Sequence, residues 1–365
     1  MPRANKALSE RLQSVISDRR VPGAGVVLFG LDRETRIGVA GLRRSGKADR
    51  VKAGDFWHLG SVGKSMTATM MLRLHERGVL DLCETVMSGL AGTEAGRLVD
   101  ARHFSSVTIA DLLSHRSGIR ANPTYAVFSR YVLFGEARQR INRAAIRQSL
   151  TRGIGPASEY QYSNSGYGIA GLIAAHRTGR TWQELIQEHV AEPADLPSLG
   201  FGRPEWHGEN PWGHRRTYTG RGFTEFKITK RGLDLELMQP AGDVFLSLAD
   251  LATYGNTHLE LLSGEPHALL EPASAARMFD PVGDVMDPIR GGRYALGWHV
   301  EDAAPDFGGQ RLIWHNGSDL FSFAMIGLLP ESRMGFALVT NALQKRWRED
   351  QSLVWKPVAE FAALD

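Results

Sequence analysis

Cysteine is almost missing from this 365-residue chain: Cys83 stands alone, so no intrachain disulfide can form. A lone Cys has no partner at the spacing of a structural zinc site, and a small buried side chain is its expected role. Long apolar runs are missing too. No segment approaches the roughly 18 unbroken apolar residues that a membrane-spanning helix needs, so no membrane partner is expected. The N-terminus, Met1-Pro-Arg-Ala-Asn-Lys-Ala-Leu8, carries charge but lacks the apolar segment of a secretory signal. A cytoplasmic location is therefore expected, and a periplasmic one only if a signal has been removed. Charge of one sign is not in excess, since 43 basic and 40 acidic residues leave a formal net charge of +3. The denser basic patches, Arg43–Lys52, Arg138–Arg152 and Arg215–Arg221, do not interleave with aromatics. They read as solvated faces, and nucleic acid is not an expected partner. The twelve histidines include no His-x-x-x-His pair, so neither a metal nor an organic cofactor is implied.

What is present suffices for a sizeable core: 42% of the residues are hydrophobic, and the length suits about two domains. No repeat or low-complexity linker divides them. Leu8, Leu12, Val15 and Ile16 have helical spacing over residues 5–18, and Pro22 stops that pattern. Strands are expected at 24–30 and 35–41, and again at 294–300, 311–315, 321–329 and 334–341. Between them the signals are mostly helical: 61–78, 108–114, 139–149, 165–177, 181–190, 247–262 and 267–279. Residues 199–237, rich in Gly, Trp and Arg, fit no element, and a helix over 350–363 closes the chain. Strands at both ends with helices between predict an α+β fold. One antiparallel sheet comes from residues 1–60 and 290–365 and is flanked by helices. Residues 61–289 form a mostly helical lobe, and a cleft between the two lobes is the expected site.

The chemistry starts at Ser61-Val-Gly-Lys64, the single Ser-x-x-Lys in the sequence. It follows a short apolar run that ends at Gly60 and opens a helix-like pattern. A Ser there lies beside unpaired backbone N–H groups, and a Lys three residues on shares its face. That pairing activates a nucleophile, because an alkoxide forming on Ser61 is stabilised and its proton has a basic neighbour. Gly63-Lys64-Ser65 also ends like a phosphate-binding loop, but the required first glycine is His58.

Two further pieces could join it. Tyr162-Ser-Asn164 precedes a helix; a phenol becomes a useful base only beside a cation such as Lys64, and the Asn amide can donate to a substrate carbonyl. Tyr254-Gly-Asn256 competes, but within a predicted helix. His315-Asn-Gly317-Ser318 follows the apolar run Leu312-Ile-Trp314 and precedes another strand. Gly317 would let a backbone approach closely, and the Ser318 N–H could pair with that of Ser61 as oxyanion donors. Lys230-Arg-Gly232 has a similar shape but lies in the irregular middle.

In this order the three motifs resemble those of the serine β-lactamase and penicillin-binding-protein superfamily. The likeness is greatest to its class C-like branch of D,D-peptidases, D-aminopeptidases, D-amino-acid amidases and family VIII carboxylesterases. The phrases Leu112-Leu-Ser-His115-Arg-Ser-Gly118-Ile119, Pro240-Ala-Gly242-Asp-Val-Phe-Leu-Ser-Leu-Ala-Asp250 and Tyr294-Ala-Leu-Gly-Trp298 are similar to the family's habits. The likeness runs from about residue 10 to the end. It implies Ser61 as acyl-forming nucleophile, Lys64 as its partner and Tyr162 as general base or relay. It implies Asn164 and His315 as substrate contacts and Gly317 and Ser318 as the oxyanion strand. His115 is read as structural, at a loop turn. Where β-lactamases usually carry Lys, this chain has His315, a weaker and pH-dependent cation. The expectation is a serine hydrolase acting on a small amide or ester, with D-amino-acid-type amides slightly favoured. A carboxylesterase is the near alternative, and a β-lactamase or a non-turnover penicillin binder comes after it. A homo-oligomer is left open.

Overall fold

The structure is a computed structural model that describes residues 4–127, 138–151, 153, 155–156, 158–218, 220, 222–227, 235–283, 292–344 and 358–361. The described residues form a seven-stranded sheet whose strands come from the two ends of the chain. Its strands are β1 (Gly23–Gly30) and β2 (Arg36–Gly41), then β8 (Arg293–Tyr294), β9 (His299–Ala304), β10 (Gln310–Gly317), β11 (Phe323–Leu329) and β12 (Met334–Thr340). The order is β2-β1-β12-β11-β10-β9-β8, antiparallel at every pairing. All residues of β1, β11 and β12 are buried. The two-residue alternation of a strand then sends its side chains into two cores. Val27 and Phe29 of β1 join Ala337 and Val339 of β12 in one. Val26 and Leu28 join Phe336 and Leu338 in the other.

Helices cover both faces. The first, α1 (Lys6–Arg19), is capped by the Asn5 side chain, which accepts from the Leu8 N–H, and puts Leu8, Leu12 and Ile16 into the second core. Residues 358–361 are helical and place Val358 and Phe361 there too; the rest of the helix expected over 350–363 lies outside the described residues. The first core takes α2 (Gly63–Glu76), α3 (Ile109–Leu113), α4 (Arg138–Leu150), α5 (Asn164–Thr178), α6 (Trp182–Ile186), α7 (Leu248–Leu262) and α8 (Pro272–Phe279).

Four expectations need correction. The strand expected over 294–300 is two short strands, β8 and β9, joined by a turn in which the Ala295 N–H donates to Trp298 O. The helix expected from 61 begins at Gly63, and Ser61 lies in a 3-10 turn, Gly60–Val62. The unassigned middle is built of small pieces. They include β4 (Gly200–Phe201), which forms a second sheet with β3 (Phe56–His58) and β7 (Val244–Ser247), and the hairpin β5 (His214–Arg216) to β6 (Phe223–Glu225). Cys83 is exposed, its N–H donating to Asp81 Oδ1 at the turn after Leu82.

Candidate active site

Ser61 is held where β3 runs into α2. On one side, Gly60 has a positive φ of 52° and no room for a side chain, since a Cβ there would lie 2.4 Å from the Ser318 amide nitrogen. Across the gap, a Cβ on Gly317 would lie 2.5 Å from the Ser61 amide nitrogen. Two glycines thus let the start of α2 and the end of β10 approach to backbone contact. The amides of Ser61 and Ser318 stand at that contact.

Lys64 is completely buried in the first turn of α2. Its Nζ lies 3.0 Å from Ser61 Oγ and donates to Ala241 O at 2.7 Å. Thr67, one turn further on, bonds Pro240 O, so two α2 side chains staple the 240–241 segment beside the nucleophile. Burial holds the Lys64 amine well below its ordinary pKa. The ammonium has lost its water and is not compensated by a carboxylate. Its Nζ also lies 5.0 Å from the centre of the Tyr162 ring and 5.5 Å from that of Tyr167. Asn164 is the first residue of α5, which is capped by the Ser163 side chain accepting from the Gly166 N–H. Its Nδ2 donates to Asn122 Oδ1, while its buried Oδ1 has no hydrogen-bond partner.

The structure therefore brings Ser61, Lys64, Tyr162, Asn164, Gly317 and Ser318 into one neighbourhood. His315 stands differently from its expectation as a cation facing substrate. It is fully buried and does not line the cavity. Its Nδ1 meets Asn316 O at 2.6 Å, so that nitrogen carries the proton, and its Nε2 accepts from the Tyr294 hydroxyl at 3.0 Å. Burial, with His299 and Lys64 nearby, pushes its pKa well down. A neutral imidazole with both nitrogens engaged has no charge to give a carboxylate. The physical reason is its parity on β10, which turns it with Ile313 into the first core. Of the competing motifs, Tyr254 is buried in α7 and bonded to Ser65 Oγ, and Lys230–Gly232 lies outside the described residues.

A cavity of about 410 Å³ opens onto Ser61. Ser318 and Asn164 line it, as do Phe201, Trp206, Leu235 and Met238. Four ionisable side chains that the sequence did not single out as ligands lie on its wall: His58, Arg203, Asp243 and Asp319. Arg203 is shared by Glu205 and Asp319. Burial alone would raise the Asp319 pKa, but Arg203 and His58, with hydrogen bonds from Ser322 and Phe321, hold it at about 2. Asp243 faces His58 Nε2 at 3.8 Å, and His58 Nδ1 accepts from the Gly60 N–H. Among the described residues no cluster of His, Cys, Asp and Glu could hold a metal ion, and no helix is long and apolar enough to cross a membrane.

The Beta-lactamase family profile matches residues 5–357. This chain belongs to that family. Penicillin-binding protein 4 of Amycolatopsis lactamdurans is 26% identical to it over 353 residues, covering 93% of this chain and 86% of that protein. Among solved structures, the octameric penicillin-binding protein homologue of Pyrococcus abyssi superposes with a TM-score of 0.76 at 21% identity, over 98% of this chain and 77% of that one. The D-amino acid amidase of Ochrobactrum anthropi SV3, complexed with L-phenylalanine amide, gives 0.75 at 19%, over 99% and 100%. These likenesses establish the mixed α+β fold, and the family and its neighbours are hydrolases.

Proposed function

We propose that this protein is a serine hydrolase that passes small amides or esters through an acyl-enzyme on Ser61. One observation carries the reading: a buried Lys64 amine, driven toward neutrality, 3.0 Å from a hydroxyl that lines a cavity. Ser61 Oγ forms a bond to the substrate carbonyl carbon as its proton passes to the Lys64–Tyr162 pair. Charge on the carbonyl oxygen rests on the Ser61 and Ser318 N–H groups. The pair then returns the proton to the departing amine or alcohol, leaving an acyl-Ser61. Water attacks the ester by the same relay, and the acid leaves as Oγ recovers its proton. Asn164 orients the substrate, whereas His315 supports the site from behind.

Amides of amino acids, D-configured as in the amidase neighbour, are the favoured substrates. The wall offers an acceptor for a free ammonium, the Asp243 carboxylate. Short acyl esters are the second reading, supported by the apolar side made of Phe201, Trp206, Leu235 and Met238. A β-lactam carboxylate would meet Asp243 and an Arg203 already shared by two acids.

Mass spectrometry after a fluorophosphonate or penicillin tests the nucleophile. The adduct should sit on Ser61, and Ser61→Ala should lose about 10⁴-fold or more in kcat while keeping its fold. Undiminished turnover in that variant would overturn the mechanism. D-amino-acid amides, p-nitrophenyl esters and nitrocefin, assayed side by side, separate the substrate readings.

A further inference from the structure

His115 is the buried titratable group that this mechanism leaves unused. It follows α3 in a left-handed backbone conformation, φ 60°, and is wholly buried. Two of its groups reach the same short segment. Its carbonyl accepts from the Gln161 N–H at 2.7 Å, and its side-chain Nδ1 accepts from the Ser163 N–H at 3.1 Å. Those are the residues immediately before and after Tyr162. The imidazole then packs on Tyr162 itself, with ring centres 4.2 Å apart, and on Tyr294 at 4.5 Å. From its other end the segment is tied down by Ser163 Oγ, bonded to Arg120 O, and by the Asn164 N–H, bonded to Ala121 O.

We infer that His115 is a positioning residue for Tyr162, clamping the backbone on either side of the phenol and backing its ring. The inference rests on the relay role given to Tyr162 above. Because Nδ1 accepts a backbone hydrogen bond, the proton of the neutral ring is on Nε2. Nε2 has no hydrogen-bond partner and is surrounded by aromatic rings. Protonating Nδ1 would break the clamp and leave a buried charge with no counter-ion among the described residues. Burial first, then Lys64, His315 and His299, oppose this and depress the His115 pKa strongly. Main-chain bonds alone would fix where the loop runs. The side-chain bond and the ring contact act on how the phenol is presented, and a displacement of about 1 Å in a reacting group costs about 10²-fold in rate.

The test compares His115→Asn with His115→Phe. Asn tolerates a positive φ and puts an oxygen where Nδ1 was; Phe keeps the ring bulk and removes the acceptor. Asn should stay within about 5-fold of wild type in kcat, with the same pH profile. Phe should lose about 10²-fold in kcat at a KM changed by less than about 3-fold, with a displaced pH profile. Each is repeated in a Tyr162→Phe background, using the rate of fluorophosphonate labelling at Ser61. If His115 acts through Tyr162, the Phe substitution costs nothing further there, whereas a merely structural residue adds its full cost. A folded His115→Phe protein with wild-type kcat and pH profile would overturn the inference. If that variant does not fold, His115→Gly, which suits the positive φ and removes the imidazole, is measured instead in both backgrounds: a loss seen in the wild-type background and absent in the Tyr162→Phe background supports the inference, and an equal loss in both, or no loss, overturns it. Failure of the parent reading looks different, since Tyr162→Phe alone would then leave activity unchanged.

Discussion

Ser61 divides two regions that are shielded from water and titrate in opposite ways. Behind it, no acid among the described residues lies beside Lys64, His115 or His315, and burial drives all three toward their neutral forms. In front, Arg203 is buried and Asp319 half-buried on the cavity wall, and they hold each other ionised, with Asp319 at about 2. Burial sets the cost of charge, and the presence or absence of a counter-ion decides whether the group pays it. The rear region is thereby suited to moving a proton. The front region is suited to holding a fixed field around a ligand. One protein keeps both within reach of a single hydroxyl because β10 delivers His315 to one and Ser318, just beyond its end, to the other.

The largest expected effect breaks the rear region. A free lysine holds its proton to about pH 10.4. Burial lowers that of Lys64, so the amine becomes neutral at a lower pH and can then take the Ser61 proton. Activity should therefore rise with pH as Lys64 loses its proton and reach its plateau well short of pH 10. Lys64→Met should cost about 10⁴-fold in kcat/KM, the upper end for a positioned base. Lys64→Arg, always protonated, should be as inactive and show no such rise. A pH–rate profile measured on each protein decides the matter, and a rising limb retained by the Arg variant would remove Lys64 from the relay.

The next effect breaks the front region and is read as stability. Arg203→Leu would leave Glu205 and Asp319 largely shielded from water without their shared cation. Removing one partner of a buried pair costs about 3–5 kcal/mol. Urea unfolding should register that loss at pH 7. The loss should shrink as pH falls, because the stranded Asp319 carboxylate, no longer held down by Arg203, takes up a proton at a higher pH than in the wild type. The same substitution in the rear region has no parallel, since no counter-charge there would be stranded.

The same contrast governs what the sequence could reveal. The proximity of Ser61 and Lys64 was legible because it rests on local spacing: the two share a face whether the first turn is 3-10 or α. The terminal strands were legible because apolar runs such as Phe323–Leu329 allow little else. Parity within a strand buried on both faces was not legible, and His315 was assigned to the substrate for that reason. The front wall was illegible altogether. Strands of two to four residues, Gly200–Phe201 and Val244–Ser247 among them, carry no period. Their conformation is imposed by β3 and by the staple from Thr67 and Lys64. His115 lay in a phrase that resembled the family's, but its use depends on a chain reversal that brings residues 161–163 alongside.

The smallest expected effect sharpens the contrast by asking what the front field is for. Asp243 is the wall carboxylate without an arginine among the described residues, and it faces His58 at 3.8 Å. If it reads a substrate ammonium, Asp243→Asn should raise KM for an amino-acid amide by about 10-fold, the range of one charge-assisted contact at a partly exposed site. An acetylated amide or a p-nitrophenyl ester, with no ammonium to lose, should be changed by less than about 2-fold. Because the proton-moving groups lie on the other side of Ser61, kcat and its pH profile should be unaffected with either substrate. Equal losses for charged and neutral substrates would instead make Asp243 a prop for the His58–Gly60 contact, and the ammonium would have to be sought elsewhere on the wall.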